Sequence, residues 1–251
     1  MSELPALWWL LILLGPLIFI QRRLHWEIQA AFLLLTGRAD LSNVLFSLLF
    51  LPGILLHEVS HFLMATILRV PTKKFSVIPQ TLADGRLRLG YVETAKTDLL
   101  RETLIGAAPL LSGILFIAYV GMIQFGFTDI WRSFQASAQI PAQVEVSALV
   151  SQPDFWLWLY LVTVVSSTMM PSTSDRQSWL PVLGVGLFMV ALGILVGAGP
   201  WMLKNIAPQL NVAFSTVALT FAISLVVHIL LWPIWFGVRV ILGKLTKRDF
   251  G

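Results

Sequence analysis

Long apolar runs separated by short polar segments dominate this sequence. A helix needs about 20 predominantly apolar residues to cross a membrane, and by this measure the pattern predicts about six transmembrane helices. They cover residues 5–20, 41–69, 103–124, 155–171, 179–202 and 213–241. A further apolar segment, residues 26–37, is too short to cross and is expected to be interfacial or re-entrant. The pattern therefore predicts an all-α polytopic membrane protein.

Two longer polar stretches interrupt the apolar pattern, a loop at about 71–101 and an extracytoplasmic loop at about 125–154. In the first, polar and apolar residues alternate over 86–92 after a turn signal at Asp84 and Gly85. This alternation predicts a small β-hairpin in which residues 75–78 form the other strand. No internal repeat is evident, so residues 1–251 are expected to form a single membrane-embedded domain.

The composition agrees with a membrane protein and excludes several kinds of site. Hydrophobic residues make up 57% of the chain and charged residues 12%, with a mean hydropathy of +0.82. The chain has no cysteine, which excludes disulfides, thiol nucleophiles and thiolate zinc sites. The net charge of +4 comes from basic residues gathered in a few loops, a distribution that suits a lipid bilayer. No nucleic acid partner is expected.

The distribution of basic residues also predicts an orientation. With six crossings, 12 of the 17 lysines and arginines lie on the face that carries both termini, and five lie on the other. Because cytoplasmic loops carry an excess of Lys and Arg, this topology predicts an integral protein of the cell membrane with cytoplasmic N- and C-termini.

Residues 57–61, HEVSH, lie inside the second predicted helix and are the first to indicate a metal site. His57 and His61 are four residues apart, so a helix places both imidazoles on one face about 6 Å apart along the axis. Glu58 projects beside them, where a base can take a proton from a water molecule at the metal. An ionisable residue near the bilayer centre costs at least ~2.5 kcal/mol, which favours a functional metal site over a chance pattern.

A catalytic zinc site has three protein ligands and one open position, so a third ligand is needed from another helix. Asp175 is one candidate, because it ends the fourth predicted helix next to Pro171, which disturbs that helix. The competing interpretation of Asp175 is a surface ion pair with Arg176. His228 in the last predicted helix is the rival ligand, since its depth in the membrane is similar.

These residues resemble the site-2 protease family of intramembrane zinc metalloproteases. The resemblance consists of HEVSH inside a helix, a hairpin loop directly after it, and Pro171 with Asp175 at the end of a later helix. It implies that His57, His61 and Asp175 bind Zn2+ and that Glu58 activates water. It also implies that the hairpin guides an extended substrate segment by strand addition. The substrate-contacting residues would be Phe75, Val77, Leu87, Leu89 and Tyr91.

The resulting hypothesis is an intramembrane zinc endopeptidase that cleaves transmembrane or membrane-proximal segments of other membrane proteins. Such regulated intramembrane proteolysis would involve a membrane-protein substrate and a regulatory membrane partner. Two alternatives remain open at this point. One is a zinc-binding scaffold or assembly factor without catalytic activity, and the other is a divalent-metal transporter, which would need ligands staggered along several helices.

Overall fold

A computed structural model gives the fold for residues 5–78, 80, 81, 87–126 and 154–248. The helices are α1 (Pro5–Thr36), α2 (Ala39–Leu49), α3 (Leu51–Ile67), α4 (Leu99–Tyr119), α5 (Phe155–Thr168), α6 (Trp179–Leu195), α7 (Gly199–Asn205) and α8 (Ala207–Thr246). The strands are β1 (Thr72–Ser76), β2 (Gln80–Thr81), β3 (Leu87–Arg88) and β4 (Tyr91–Thr94). A single π-helical turn, Val120–Gln124, extends α4.

Among the described residues, three helices are long and apolar enough to cross a membrane, namely α1, α4 with its π-helical turn, and α8. Two bent pairs bring the number to five if each pair is one crossing: α2 with α3, bent by 70°, and α6 with α7, bent by 119°. The apolar helix α5 is shorter, with 14 residues. Several long apolar helices fit an integral membrane protein, as predicted, but the described residues give three to five candidate crossings and not the six predicted.

The predicted helices 41–69 and 179–202 are both interrupted. The first bends at Phe50, and the second at residues 196–198, where Gly197 has a φ of 84°. Such a left-handed backbone conformation is favourable for glycine and ends a helix. Neither bend was predicted, because a run of hydrophobic residues does not show where the helix axis changes direction.

The first helix is longer than predicted. The segment 26–37, expected to be interfacial or re-entrant, instead continues α1 to Thr36, so that expectation is wrong. Polar residues in this half of α1 are buried with partners on other helices. Gln21 Nε2 donates to the carbonyl of Ser166 over 2.8 Å, and Glu27 forms a 2.5 Å ion pair with Arg239. These partners let the helix continue through positions that look like a polar boundary in the sequence.

Helices α1 and α8 run side by side in the same direction. Near their starts, the Ala6 amide donates to Asn211 Oδ1 over 3.1 Å. Farther along, Glu27 pairs with Arg239, and beyond the end of α1 the guanidinium of Arg248 fills the space beside Gly37. If each of these two parallel helices crosses once, the two termini lie on opposite faces, so the predicted location of both termini on one face stays a prediction.

The charge count could not have revealed this arrangement. It assigned the four basic residues after position 238 to the face of the N-terminus, and moving them leaves eight against nine of the 17 lysines and arginines. An even distribution gives no orientation by the positive-inside rule. Which face is cytoplasmic therefore stays a prediction.

The predicted β-hairpin is confirmed. Strand β1 pairs antiparallel with β4, placing Phe75 opposite Val92 and Ser76 opposite Tyr91. A second antiparallel pair, β2 with β3, continues toward the tip. The predicted turn at Asp84 and Gly85 lies outside the described residues, as does most of the predicted loop 125–154.

Helices α3, α4 and α5 pack closely around the candidate site. A Cβ atom at Gly53 on α3 would collide with the carbonyl of Val164 on α5, and one at Gly113 on α4 would lie 2.5 Å from the Cβ of Met169. The absence of side chains at these two positions lets the helix backbones approach, and the close approach brings side chains of α3 within reach of carbonyls on both neighbours.

Candidate metal centre

The two histidines of α3 are each held by a backbone carbonyl of a neighbouring helix. His57 Nδ1 lies 2.7 Å from the carbonyl oxygen of Thr168 at the end of α5, and His61 Nδ1 lies 2.7 Å from that of Ile105 on α4. A carbonyl oxygen can only accept, so both Nδ1 atoms carry the proton and donate. Both Nε2 atoms of the neutral rings are consequently lone-pair donors to a metal.

The two Nε2 atoms face each other at 3.2 Å. Since neither carries a proton in this tautomer, no hydrogen bond joins them and their lone pairs point into the same space. The carboxylate of Asp175 completes the group, with its oxygens 3.9 Å from His57 Nε2 and 3.5 Å from His61 Nε2. All three ligand atoms lie within 4.8 Å of one another, so the group could hold a metal ion.

Asp175 is positioned by the loop that follows α5. The amide of Ser172 donates to Asp175 Oδ2 over 2.7 Å, while the Asp175 carbonyl packs against Gly106, where any Cβ atom would collide with it. The competing prediction of an ion pair with Arg176 is not seen, because Arg176 Nε donates to the Ser172 carbonyl over 3.3 Å. Within the described chain, Asp175 therefore belongs to the histidine pair.

The rival ligand His228 lies elsewhere. Its Nδ1 is 2.6 Å from the carbonyl of Ser224, one turn earlier on α8, so it donates there and leaves Nε2 as an acceptor. The hydroxyl of Ser167 then donates to His228 Nε2 over 2.9 Å. Both ring nitrogens thus have partners, one within α8 and one on α5, and His228 is absent from the group that could hold a metal ion.

Glu58 is buried, with 6% of its surface exposed. The hairpin lies directly over it: a Cβ atom at Gly90 would stand 2.8 Å from Glu58 Cγ and 2.9 Å from Oε1. Gly90 therefore lets the backbone that leads into β4 approach the carboxylate of Glu58. Among the described residues, Glu58 is outside the group that could share an ion.

A cavity of about 790 Å³ connects these groups. Its walls include His57, Glu58, His61 and Asp175, together with residues 89–92 of the hairpin. At one end it reaches exposed polar residues, Glu102, Thr173, Ser174 and Gln177. Polar groups therefore line the way from this end of the cavity to His57, which is half-buried, and His61, which is buried.

The five residues assigned to substrate contact are placed differently by the structure. Leu89 and Tyr91 line the cavity, whereas Phe75 and Val77 do not. Residues of β4 line the cavity, whereas no residue of β1 does. Phe75 on β1 instead lies near Phe62, with ring centroids 6.0 Å apart. The side chain of Leu87 is outside the described residues.

Several functional features had little or no signal in the sequence. The carbonyls of Ile105 and Thr168, which set the histidine tautomers, could not be found from residue types because every residue has a carbonyl. Gly90 and Gly106 were visible as glycines, but only the structure shows that the first adjoins Glu58 and the second adjoins Asp175.

Comparison with known proteins adds no relative: no family model matches the sequence, and no curated protein or solved structure matches it.

Proposed function

We propose that this protein is an intramembrane zinc endopeptidase that cleaves transmembrane or membrane-proximal segments of other membrane proteins, in the manner of the site-2 protease family. One observation carries the proposal. Two imidazole lone pairs face each other across 3.2 Å beside a carboxylate, and a buried glutamate adjoins them in the same cavity.

The donor set supports zinc as the metal. Two nitrogens and one carboxylate oxygen are ligands that catalytic zinc sites use, and a fourth position stays open for water. Ligand atoms 2.0–2.1 Å from a tetrahedral zinc ion lie about 3.3 Å apart, close to the separations of 3.2, 3.5 and 3.9 Å in this group. A bound zinc ion would lower the pKa of a water molecule toward ~7 and polarise the scissile carbonyl.

The protein groups around the metal have distinct roles in this proposal. Glu58 accepts a proton from the attacking water and returns it to the leaving amine. His57 and His61 are oriented with Nε2 toward the metal, because the carbonyls of Thr168 and Ile105 accept from their Nδ1 atoms. The Ser172 amide holds the carboxylate of Asp175. Each proposed ligand thus forms a hydrogen bond to a second protein group, and such outer hydrogen bonds orient metal ligands and tune their basicity.

The position of the hairpin favours a peptide as the substrate. Residues 89–92 line the cavity next to Glu58, and an extended peptide can pair with a strand edge through main-chain hydrogen bonds. A transmembrane helix hides its carbonyls in its own hydrogen bonds and must unwind before it can be cut. In this proposal, β4 supplies replacement partners for the unwound segment.

The test is a Glu58→Gln variant, compared with the native protein and with Glu102→Gln, which removes a carboxylate from the mouth of the same cavity. Each purified protein is analysed for metal content and then incubated with a panel of single-span membrane proteins. We expect equal zinc in all three. Cleavage should fall about 10²- to 10⁴-fold in Glu58→Gln, the typical contribution of general acid–base catalysis, and persist in Glu102→Gln.

Other outcomes would favour other functions. Equal cleavage by the native protein and Glu58→Gln would remove Glu58 from the mechanism. Full zinc content without cleavage by any of the proteins would favour the catalytically silent scaffold. Zinc uptake into proteoliposomes by the native protein, without cleavage, would favour a transporter.

A further inference from the structure

A second, smaller cavity lies away from the metal centre, where the parallel helices α1 and α8 end. It has a volume of about 310 Å³ and is lined by Leu34, Arg239, Val240, Gly243 and the three cations Lys244, Lys247 and Arg248. Leu34 is buried and forms an apolar floor with Val240. The cavity therefore combines an apolar base with a strongly basic rim.

The end of α8 builds this rim. Lys247 adopts a left-handed conformation with a φ of 52°, which ends the helix. The chain then folds back, so that the Arg248 carbonyl oxygen lies beside Gly243. The Arg248 guanidinium rests against Gly37, just after the end of α1. The reversal brings cations from α8 and the following residues around one cavity instead of leaving them dispersed along the helix.

The charges at this end are not balanced. Arg239 is compensated by Glu27, but Lys244, Lys247 and Arg248 have no carboxylate partner in the described parts of the chain. The two helix C-termini that meet here contribute together about one negative charge from their dipoles. Asp249, the next residue in the sequence, adds one more negative charge. An excess of about one positive charge remains among these groups, and an anion is the complementary ligand.

We infer that this cavity binds the headgroup of an anionic phospholipid. Three exposed apolar residues, Leu35, Ile241 and Leu245, flank the basic rim, and such a surface suits acyl chains. Helix α8 has 40 residues, about 60 Å, and thus extends well beyond a hydrocarbon core of about 30 Å. Its end therefore reaches the headgroup region, where basic pockets between helices bind anionic lipids. A free phosphate would use the cations but not the apolar surface.

The experiment measures lipid retention by the full-length protein in detergent, using native mass spectrometry after exposure to phosphatidylglycerol, phosphatidylcholine or inorganic phosphate. The variant replaces Lys244, Lys247 and Arg248 by Gln. A matched control replaces Lys73, Lys74 and Lys96, three exposed lysines of the hairpin region, also by Gln. We expect the native protein and the control to retain phosphatidylglycerol, with at least a roughly tenfold loss of affinity in the pocket variant.

Several results would overturn the inference. They are equal retention of phosphatidylglycerol by both triple variants, equal retention of phosphatidylcholine and phosphatidylglycerol by the native protein, and displacement of the lipid by inorganic phosphate at comparable concentration. If the triple variant fails to fold, the single variants Lys244→Gln and Arg248→Gln replace it. Each single variant must then weaken retention relative to Lys73→Gln, and an unchanged affinity in both would also contradict the inference.

Discussion

Helices α4 and α6 are both long and apolar, but they differ in burial, in contacts with other helices and in capping. Helix α4 buries seven of its residues, supplies the Ile105 carbonyl to His61, and starts with a side-chain cap from Asp98. Helix α6 buries none of its 17 residues and starts without a side-chain cap. Its glycines Gly184 and Gly186 have open space around them.

This contrast shows that apolar composition does not distinguish a helix that packs around the candidate site from one that buries none of its residues. Lipid is as apolar as a protein core, so both environments select the same residue types. What distinguishes α4 is close contact: Gly106 touches the Asp175 backbone, and Gly113 touches Met169. Substitutions matched between the two helices should therefore have very different effects.

The largest expected effect concerns the ligand that α4 orients. Replacing His61 by Ala removes one of the two facing imidazoles, so zinc affinity should fall by more than the 10- to 100-fold that is typical for loss of an outer-shell partner. Competition with a chelator of known affinity measures this change. His25→Phe is the control, because His25 lines the same cavity but lies outside the metal-binding group. Equal zinc affinity in His61→Ala and native protein would contradict the assignment.

A smaller effect is expected from matched glycines. Gly106→Ala places a methyl group against the Asp175 carbonyl, and such overpacking should destabilise the protein by about 1–3 kcal/mol and weaken zinc binding by displacing Asp175. Gly186→Ala introduces the same methyl group into open space on α6 and should be neutral or stabilising by up to about 1 kcal/mol. Thermal unfolding in detergent and zinc titration test the pair. Similar destabilisation by both substitutions would refute the proposed contrast between the helices.

The smallest effect is expected at the start of α4. Asp98 accepts a hydrogen bond from the Arg101 amide over 3.1 Å, and this bond lowers the pKa of its carboxyl below the ordinary value. A lowered pKa in the folded state means that the stabilisation is present above the ordinary pKa and is lost as the pH falls through the lowered one. Asp98→Ala should lower the melting temperature slightly at neutral pH, and the difference from native protein should shrink in acid. Asp98→Asn, which keeps an acceptor oxygen, should cost less; a cost equal to that of Asp98→Ala would argue against capping.

The metal-binding group was the most predictable part of the molecule. The spacing of His57 and His61 follows from helix geometry, and Asp175 was identifiable because a proline and an acid at the end of an apolar run are costly without a role. The hairpin was also predictable, since alternation with a turn signal is a local pattern. In each case the decisive information lies within a few residues of the chain.

Long-range partners were not predictable in the same way. Glu27 and Gln21 looked like the polar end of a helix, because nothing in the sequence shows that Arg239 and the Ser166 carbonyl reach them. The bends near Phe50 and Gly197 and the parallel course of α1 and α8 likewise depend on contacts between distant segments. A pattern of apolar residues shows that a helix is present more reliably than it shows where the helix ends or changes direction.

The parallel course of α1 and α8 imposes a parity rule on the whole topology. A chain whose first and last crossings point the same way crosses the bilayer an odd number of times. Among the described residues, the three long helices already satisfy the rule if each of them crosses once, so of α5 and the two bent pairs either two cross or none does. If α5 and the α2–α3 pair cross together to hold the metal group between them, the α6–α7 pair must turn back to the face from which it entered.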